Sequence, residues 1–144
     1  MTPLRVDRLL ALPVRLHAIS VGRPVDVLLD LEERRAVGID VLCGDHVHRF
    51  LPLPTAVVSD EEIAIRSPFV LLEEDQLAFY RQRTVELTAL RGSRVRHGDR
   101  DVGRLEDVVV RADGTIAAVV VDQRELPVDE TVRIQSESRQ AAVS

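Results

Sequence analysis

The chain has 144 residues, 45% of them apolar and 30% charged, with a formal net charge of −5. That length bounds it to one compact domain or two very small ones, and the composition excludes a disordered polar chain. The acidic balance disfavours nucleic-acid binding driven by overall charge.

Residues 4–12 are apolar-rich and end at Pro13; a helical turn and a first strand both fit them. Val25, Val27, Leu29 and Leu31 then alternate with Pro24, Asp26, Leu28 and Asp30, the period-two pattern of a half-buried strand. After the polar turn at Glu32–Arg35, Val37, Ile39 and Val41 repeat the pattern. The two runs predict a hairpin with Leu29 opposite Val37 and a three-residue loop at 32–34. Leu51-Pro52-Leu53-Pro54 fits an edge strand, because proline cannot donate to a ladder. Ala56–Val58 and Ile63–Ile65 bracket an acidic turn. Between 66 and 90 the pattern changes: acids precede arginines around Leu72, Leu77, Phe79 and Tyr80, which predicts a short helix over about 73–83. Its aromatic and leucine residues read as packing of that helix. Val85–Leu90 follows as a short strand or extended piece.

The region after 90 repeats the region before 66. Placing Val95-Arg96 on Val14-Arg15 aligns Val102-Gly103-Arg104 with Val21-Gly22-Arg23 and Asp107-Val108 with Asp26-Val27, all at one offset. Ile39 then matches Val119, Leu51-Pro52 matches Leu126-Pro127, and Ile63-Ala64-Ile65 matches Val132-Arg133-Ile134. The ordered set is the signature of an internal duplication. The second copy is organised around Asp113-Gly114, a strong hairpin signal between two valine-rich runs. A two-residue turn there sets Val110 against Ala117, Val109 against Ala118, Val108 against Val119 and Asp107 against Val120. Both faces of that hairpin are apolar, so both require cover.

The stretch Val102-Gly103-Arg104-Leu105-Glu106-Asp107-Val108-Val109-Val110, followed by Asp113-Gly114-Thr115-Ile116-Ala117-Ala118-Val119-Val120-Val121, resembles the PRC-barrel domain, as does the proline strand at Leu126-Pro127-Val128. The resemblance covers about 90–134 well and 13–65 more weakly. It implies a small barrel of about six strands that serves mainly in macromolecular interaction, as in photosynthetic reaction-centre H subunits, ribosome maturation factors and archaeal division proteins. It carries over no catalytic residues, because the family has no common set.

Cys43, Asp45, His46 and His48 include soft and borderline metal ligands, and the two histidines share a face if that stretch is extended. Their spacing matches no standard zinc site, and a polar hairpin tip with a core cysteine is the favoured reading. Asp26 and Asp107 fall at equivalent places in apolar strands. Either they pair as acids in one site, or each is satisfied by Arg23, Arg104 or turn N–H groups. Arg91, Arg94, Arg96, Arg100 and Arg104, with His97, form a basic run suited to phosphate, RNA or an acidic partner, or to Glu73, Glu74 and Asp75 within the chain. Gly92, Gly98 and Gly103 precede neither a lysine nor a helix, so they make no nucleotide loop.

The single cysteine excludes an intrachain disulfide, no apolar run approaches the roughly 18 residues needed to span a bilayer, and the N-terminus lacks a secretory h-region. The expectation is a mainly β, cytoplasmic protein without membrane insertion. Repeat 1 is placed at 1–65, a linking helical segment at 66–90, repeat 2 at 91–134 and a flexible tail at 135–144. Its two PRC-barrel-like repeats would act as a non-enzymatic interaction or scaffold module with no cofactor and a protein partner or a homodimer. The contact surface would be the arginine run with Val109, Ala118 and Val120. Gly22, Asp26, Gly103, Asp107, Asp113 and Gly114 are structural. The alternatives are an RNA or ribosome-assembly accessory, which lacks the N-terminal domain of the ribosome maturation branch, and a metal- or small-ligand-binding protein centred on 43–48.

Overall fold

The computed structural model describes residues 3–135. Of the predicted tail, all but Gln135 lies outside the described residues. In chain order the elements are β1 (Leu4–Arg5), α1 (Val6–Leu10), β2 (Val14–Leu16), β3 (Ile19–Asp30), β4 (Arg35–Cys43), β5 (His48–Pro52), β6 (Ala56–Val58), β7 (Ile63–Ile65), α2 (Glu74–Arg81), β8 (Val85–Glu86), α3 (Leu87–Leu90), β9 (Arg94–His97), β10 (Arg100–Val110), β11 (Ile116–Val121), β12 (Arg124–Pro127) and β13 (Val132–Gln135). Single 3-10 turns occupy Leu53–Thr55 and Pro68–Val70.

The protein is mainly β, in two curled sheets. The first runs β5-β4-β3-β2-β7-β6, and the second runs β12-β11-β10-β9-β13. The long strands β3 and β10 make the curl, because each outruns its first partner and takes a second one further along. β2 pairs with β3 over Ile19–Gly22, and β8 takes over at Leu28 and Leu29. β9 pairs with β10 over Arg100–Arg104, and β1 takes over at Val109 and Val110.

Those second partners are exchanged. β1 leads into the first sheet in sequence but pairs in the second; β8 leads into the second but pairs in the first. Each continues into a one-turn helix whose N-terminal amides need acceptors. The opposite sheet supplies them. Asp107 Oδ2 accepts from the Asp7 amide at 3.1 Å. Asp26 Oδ1 accepts from the Thr88 amide at 3.2 Å, and its Oδ2 accepts from the Thr88 hydroxyl. One continuous apolar core follows, in which Val6, Leu9, Leu87 and Leu90 from the arms join Val27, Leu29 and Ile39 of one sheet and Leu105, Val108 and Val119 of the other. Full burial of each such side chain is worth about 1.5–3 kcal/mol.

The two central hairpins also meet turn to turn. Ile116 N–H donates to the Arg34 carbonyl at 2.9 Å, and Ala36 N–H donates to the Gly114 carbonyl at 2.7 Å. Gly114 has φ 90°, and a Cβ there would lie 2.6 Å from the Ala36 carbonyl oxygen, so only glycine fits this junction.

The predicted pairs Val109–Ala118, Val108–Val119 and Asp107–Val120 are present, but a bulge sets Val110 against Ile116 instead of Ala117. The loop therefore spans 111–115 rather than two residues. In the first hairpin a bulge after Leu28 sets Leu29 against Ala36, not Val37, and the loop spans 31–34. Residues 4–12 hold both a strand and a helix; the strand expected over Val85–Leu90 covers only Val85–Glu86, and Leu87–Leu90 is helical. The helix near 73–83 lies at Glu74–Arg81. It is more than a connector: Leu77 and Tyr80 pack on Leu28 and Phe50 of the first sheet. The match of Ile63–Ile65 to Val132–Ile134 joins strands of opposite sense. β7 runs parallel to β2, whereas β13 runs antiparallel to β9. The first sheet inserts an additional hairpin, β6–β7, and that reverses the chain once more.

Candidate functional site

Asp26 and Asp107 do not form one acid pair. Each is buried in its own sheet and is held by backbone amides: Val27 at 2.9 Å and Thr88 for Asp26, Val108 at 2.8 Å and Asp7 for Asp107. The arginines suggested as partners lie elsewhere; Arg23 is exposed, and Arg104 donates to the Gly92 carbonyl at 2.8 Å. Burial, partly countered by the Asp7 and Val108 amides, raises the Asp107 carboxyl above its ordinary 3.8. Both residues act as helix caps supplied across the exchange.

A polar network that the sequence reading missed surrounds Asp26. Across the ladder stands Asp40, also buried. Arg81 Nη2 donates to Asp40 Oδ2 at 2.6 Å, His48 Nδ1 lies 2.8 Å from Oδ1, and Arg81 Nε reaches Glu86 at 3.1 Å. Burial first, then a hydrogen bond and charge from Asp26, raise the Glu86 carboxyl. Among the described residues no buried side-chain nitrogen or oxygen is left without a partner. A closed network of this kind fastens α2 and β8 to the sheet. Asp40 alternates correctly in its strand, so its position was visible, but Arg81 comes from 41 residues away.

The residues at 43–48 separate. His48 turns to Asp40, His46 sits exposed at the turn with φ 65°, and Asp45 is gripped by Arg49 at 2.8 and 3.0 Å. That pairing lowers Asp45 to about 2, and it raises Arg49, which Cys43 also faces. Among the described residues no three histidine, cysteine or acidic side chains are grouped for a metal ion.

Four of the five arginines of the run, Arg91, Arg94, Arg96 and Arg104, find partners within the chain. Arg91 binds Asp7, Arg94 lies 3.3 Å from Asp101, and Arg96 donates to the Asp99 carbonyl at 2.8 Å. Glu73, Glu74 and Asp75, suggested as its partners, lie instead at the start of α2. Val109, Ala118 and Val120 are buried as a small cluster of their own. Arg5 pairs with Val109 on one side and Glu125 with Val120 on the other, and the two side chains join at 3.4 Å. These three residues therefore offer no open surface to a partner. Phe79, read as packing, is half exposed with the Arg83 guanidinium over its ring at 3.8 Å.

The open end of the first sheet holds a cleft of about 430 Å³. Leu16, Val21, Ile65 and Leu71 line it, with Cys43 and the Asp45–Arg49 pair on one wall. Two residues adjoining its lining in sequence hold large apolar side chains in solvent: Phe69, after Pro68, is 88% exposed, and Ile19, before Ser20, is 68% exposed. Ile19 closes the β2–β3 turn against Leu16, and Phe69 follows Pro68, which lines the cleft. The turn between them places His17 and Ala18 at φ 50° and 68°, a geometry normally given to Asn-Gly. No periodicity marks these residues, because their exposure is set by turns. The sequence matches no protein-family model, and no curated protein matches it.

Proposed function

We propose that the protein is a non-enzymatic interaction module made of two PRC-barrel-like units that arose by duplication. The arms support the duplication: β1–α1 and β8–α3 stand before their units at the same offset that relates Asp26 to Asp107, and they dock in the same manner. The observation that carries the interaction reading is the cleft with Phe69 and Ile19 held beside it in water. Large exposed apolar side chains grouped around a concavity mark contact surfaces rather than scattered surface residues.

The contact surface therefore moves from the Val109 face to the first sheet. The test is affinity capture from native lysate with the wild type, Phe69→Asp and Ile19→Asp, with and without nuclease. The expected result is a protein partner, or a second copy of the chain, that is lost with either substitution and indifferent to nuclease. Capture that needs intact RNA and ignores both substitutions overturns the reading.

A further inference from the structure

The fold does not require an apolar end here, as the second sheet shows. Where the first has Leu16, Ile19 and Cys43, the sequence alignment of the two halves puts His97, Arg100 and Gln123. The β9–β10 turn has the same place in its sheet as the β2–β3 turn and carries charge. Phe69 is also held out by design of its turn, not left loose: Ser67 Oγ accepts its amide at 3.2 Å, and Leu71 N–H closes on the Pro68 carbonyl at 3.1 Å.

Charge around the cleft is uneven. Asp45 and Arg49 neutralise one another. Of the charged residues flanking the lining in sequence, Arg23 and Arg66 are exposed, and Glu73, Glu74 and Asp75 are exposed immediately after Leu71 and Leu72. None of these three acids is in an ion pair among the described residues. The surplus is negative, as is the whole chain.

We infer that the cleft receives an extended segment of a partner protein, with one bulky apolar side chain seated between Phe69 and Leu16 and basic residues passing over Glu73–Asp75. This rests on the interaction reading above and adds the chemistry of the partner. The apolar anchor supplies desolvated contact area, and the basic flank supplies direction and a faster encounter.

Fluorescence anisotropy with three labelled peptides tests it: a central Leu-Phe flanked by arginines, the same core flanked by glutamates, and an Ala-Ala core flanked by arginines. The first is expected to bind at least about tenfold tighter than either other. Its affinity should fall between about 50 and 300 mM salt. Glu73→Lys/Glu74→Lys should weaken it and favour the glutamate peptide. Phe69→Asp, which adds negative charge, should also weaken it; tighter binding there would mean a merely electrostatic contact and would overturn the inference. So would equal binding of the basic and acidic peptides. If the lysate partner depends on Phe69 while the peptides bind without charge preference, the interaction reading stands and this inference falls. If neither depends on Phe69, both fall. Circular dichroism of each variant confirms the fold.

Discussion

On the first sheet the outer face of β3 and β4 lies under α2; on the second, the matching face of β10 and β11 lies under one ion pair. The reason is in a few side chains. Phe50 projects over Gly38, where an added Cβ would come within 2.4 Å of its ring, and Tyr80 stacks on it at 4.3 Å. In the second sheet Ala118 pairs with Val109, Glu125 stands beside Val120, and the face is shallow enough for Arg5 to close. One backbone plan thus carries two kinds of cover. Which kind is used depends on whether a large ring or a charged side chain arrives from the next strand.

Substitutions can break or sharpen this contrast. Phe50→Ala removes the platform of α2 and should cost about 3–5 kcal/mol in urea unfolding. Asp26→Ala strands two amides and the Thr88 hydroxyl and should cost about 2–4 kcal/mol, while Asp107→Ala strands two amides and should cost about 1–3 kcal/mol. The reverse order would mean that the Thr88 hydroxyl bond adds nothing to the hold on its arm.

The third expectation concerns pH. The Asp107 carboxyl is raised above its ordinary 3.8 in the folded chain. Its contribution is therefore fully present below that value and is lost as pH rises through the folded pKa. As pH rises above the ordinary 3.8 the wild type should progressively lose the stability this group adds, and Asp107→Asn should lack that loss in the same unfolding series. An identical slope would discount the burial argument. The smallest effect belongs to Arg5→Ala. An exposed pair of this kind should cost under about 1 kcal/mol. A loss as large as that of Phe50→Ala would show that the ion pair, not the small side chains beneath it, protects the second face.

Alternation made the long strands legible, and the inner pairs Val108–Val119 and Val109–Ala118 followed from counting out from Asp113-Gly114. The bulges at Leu28 and Val110 were not legible, because they answer to turn-to-turn hydrogen bonds between distant hairpins. The exchange of β1 and β8 left no local trace either. A two-residue strand has too little pattern, and nothing in it distinguishes one sheet edge from another. At the cleft, Cys43 and Asp45 have side chains suited to metal ligation, whereas Ile19 and Phe69 carry no pattern that sets them apart from core residues. Only the turns at 17–18 and 67–71 reveal that they face water.

The crossed arms have a consequence for synthesis. β1 is made before β10, yet the helix it leads into is capped by a residue made 100 positions later. The first sheet in turn waits for β8, made after α2. The first sheet therefore lacks its last partner until Glu86 is made, and α1 lacks its cap until Asp107 is made. Such long-range closure folds slowly, and the nascent N-terminal half exposes its unfilled strand edges in the meantime. Synthesis of β10 is thus the step that lets the β1–α1 arm dock and joins the two sheets.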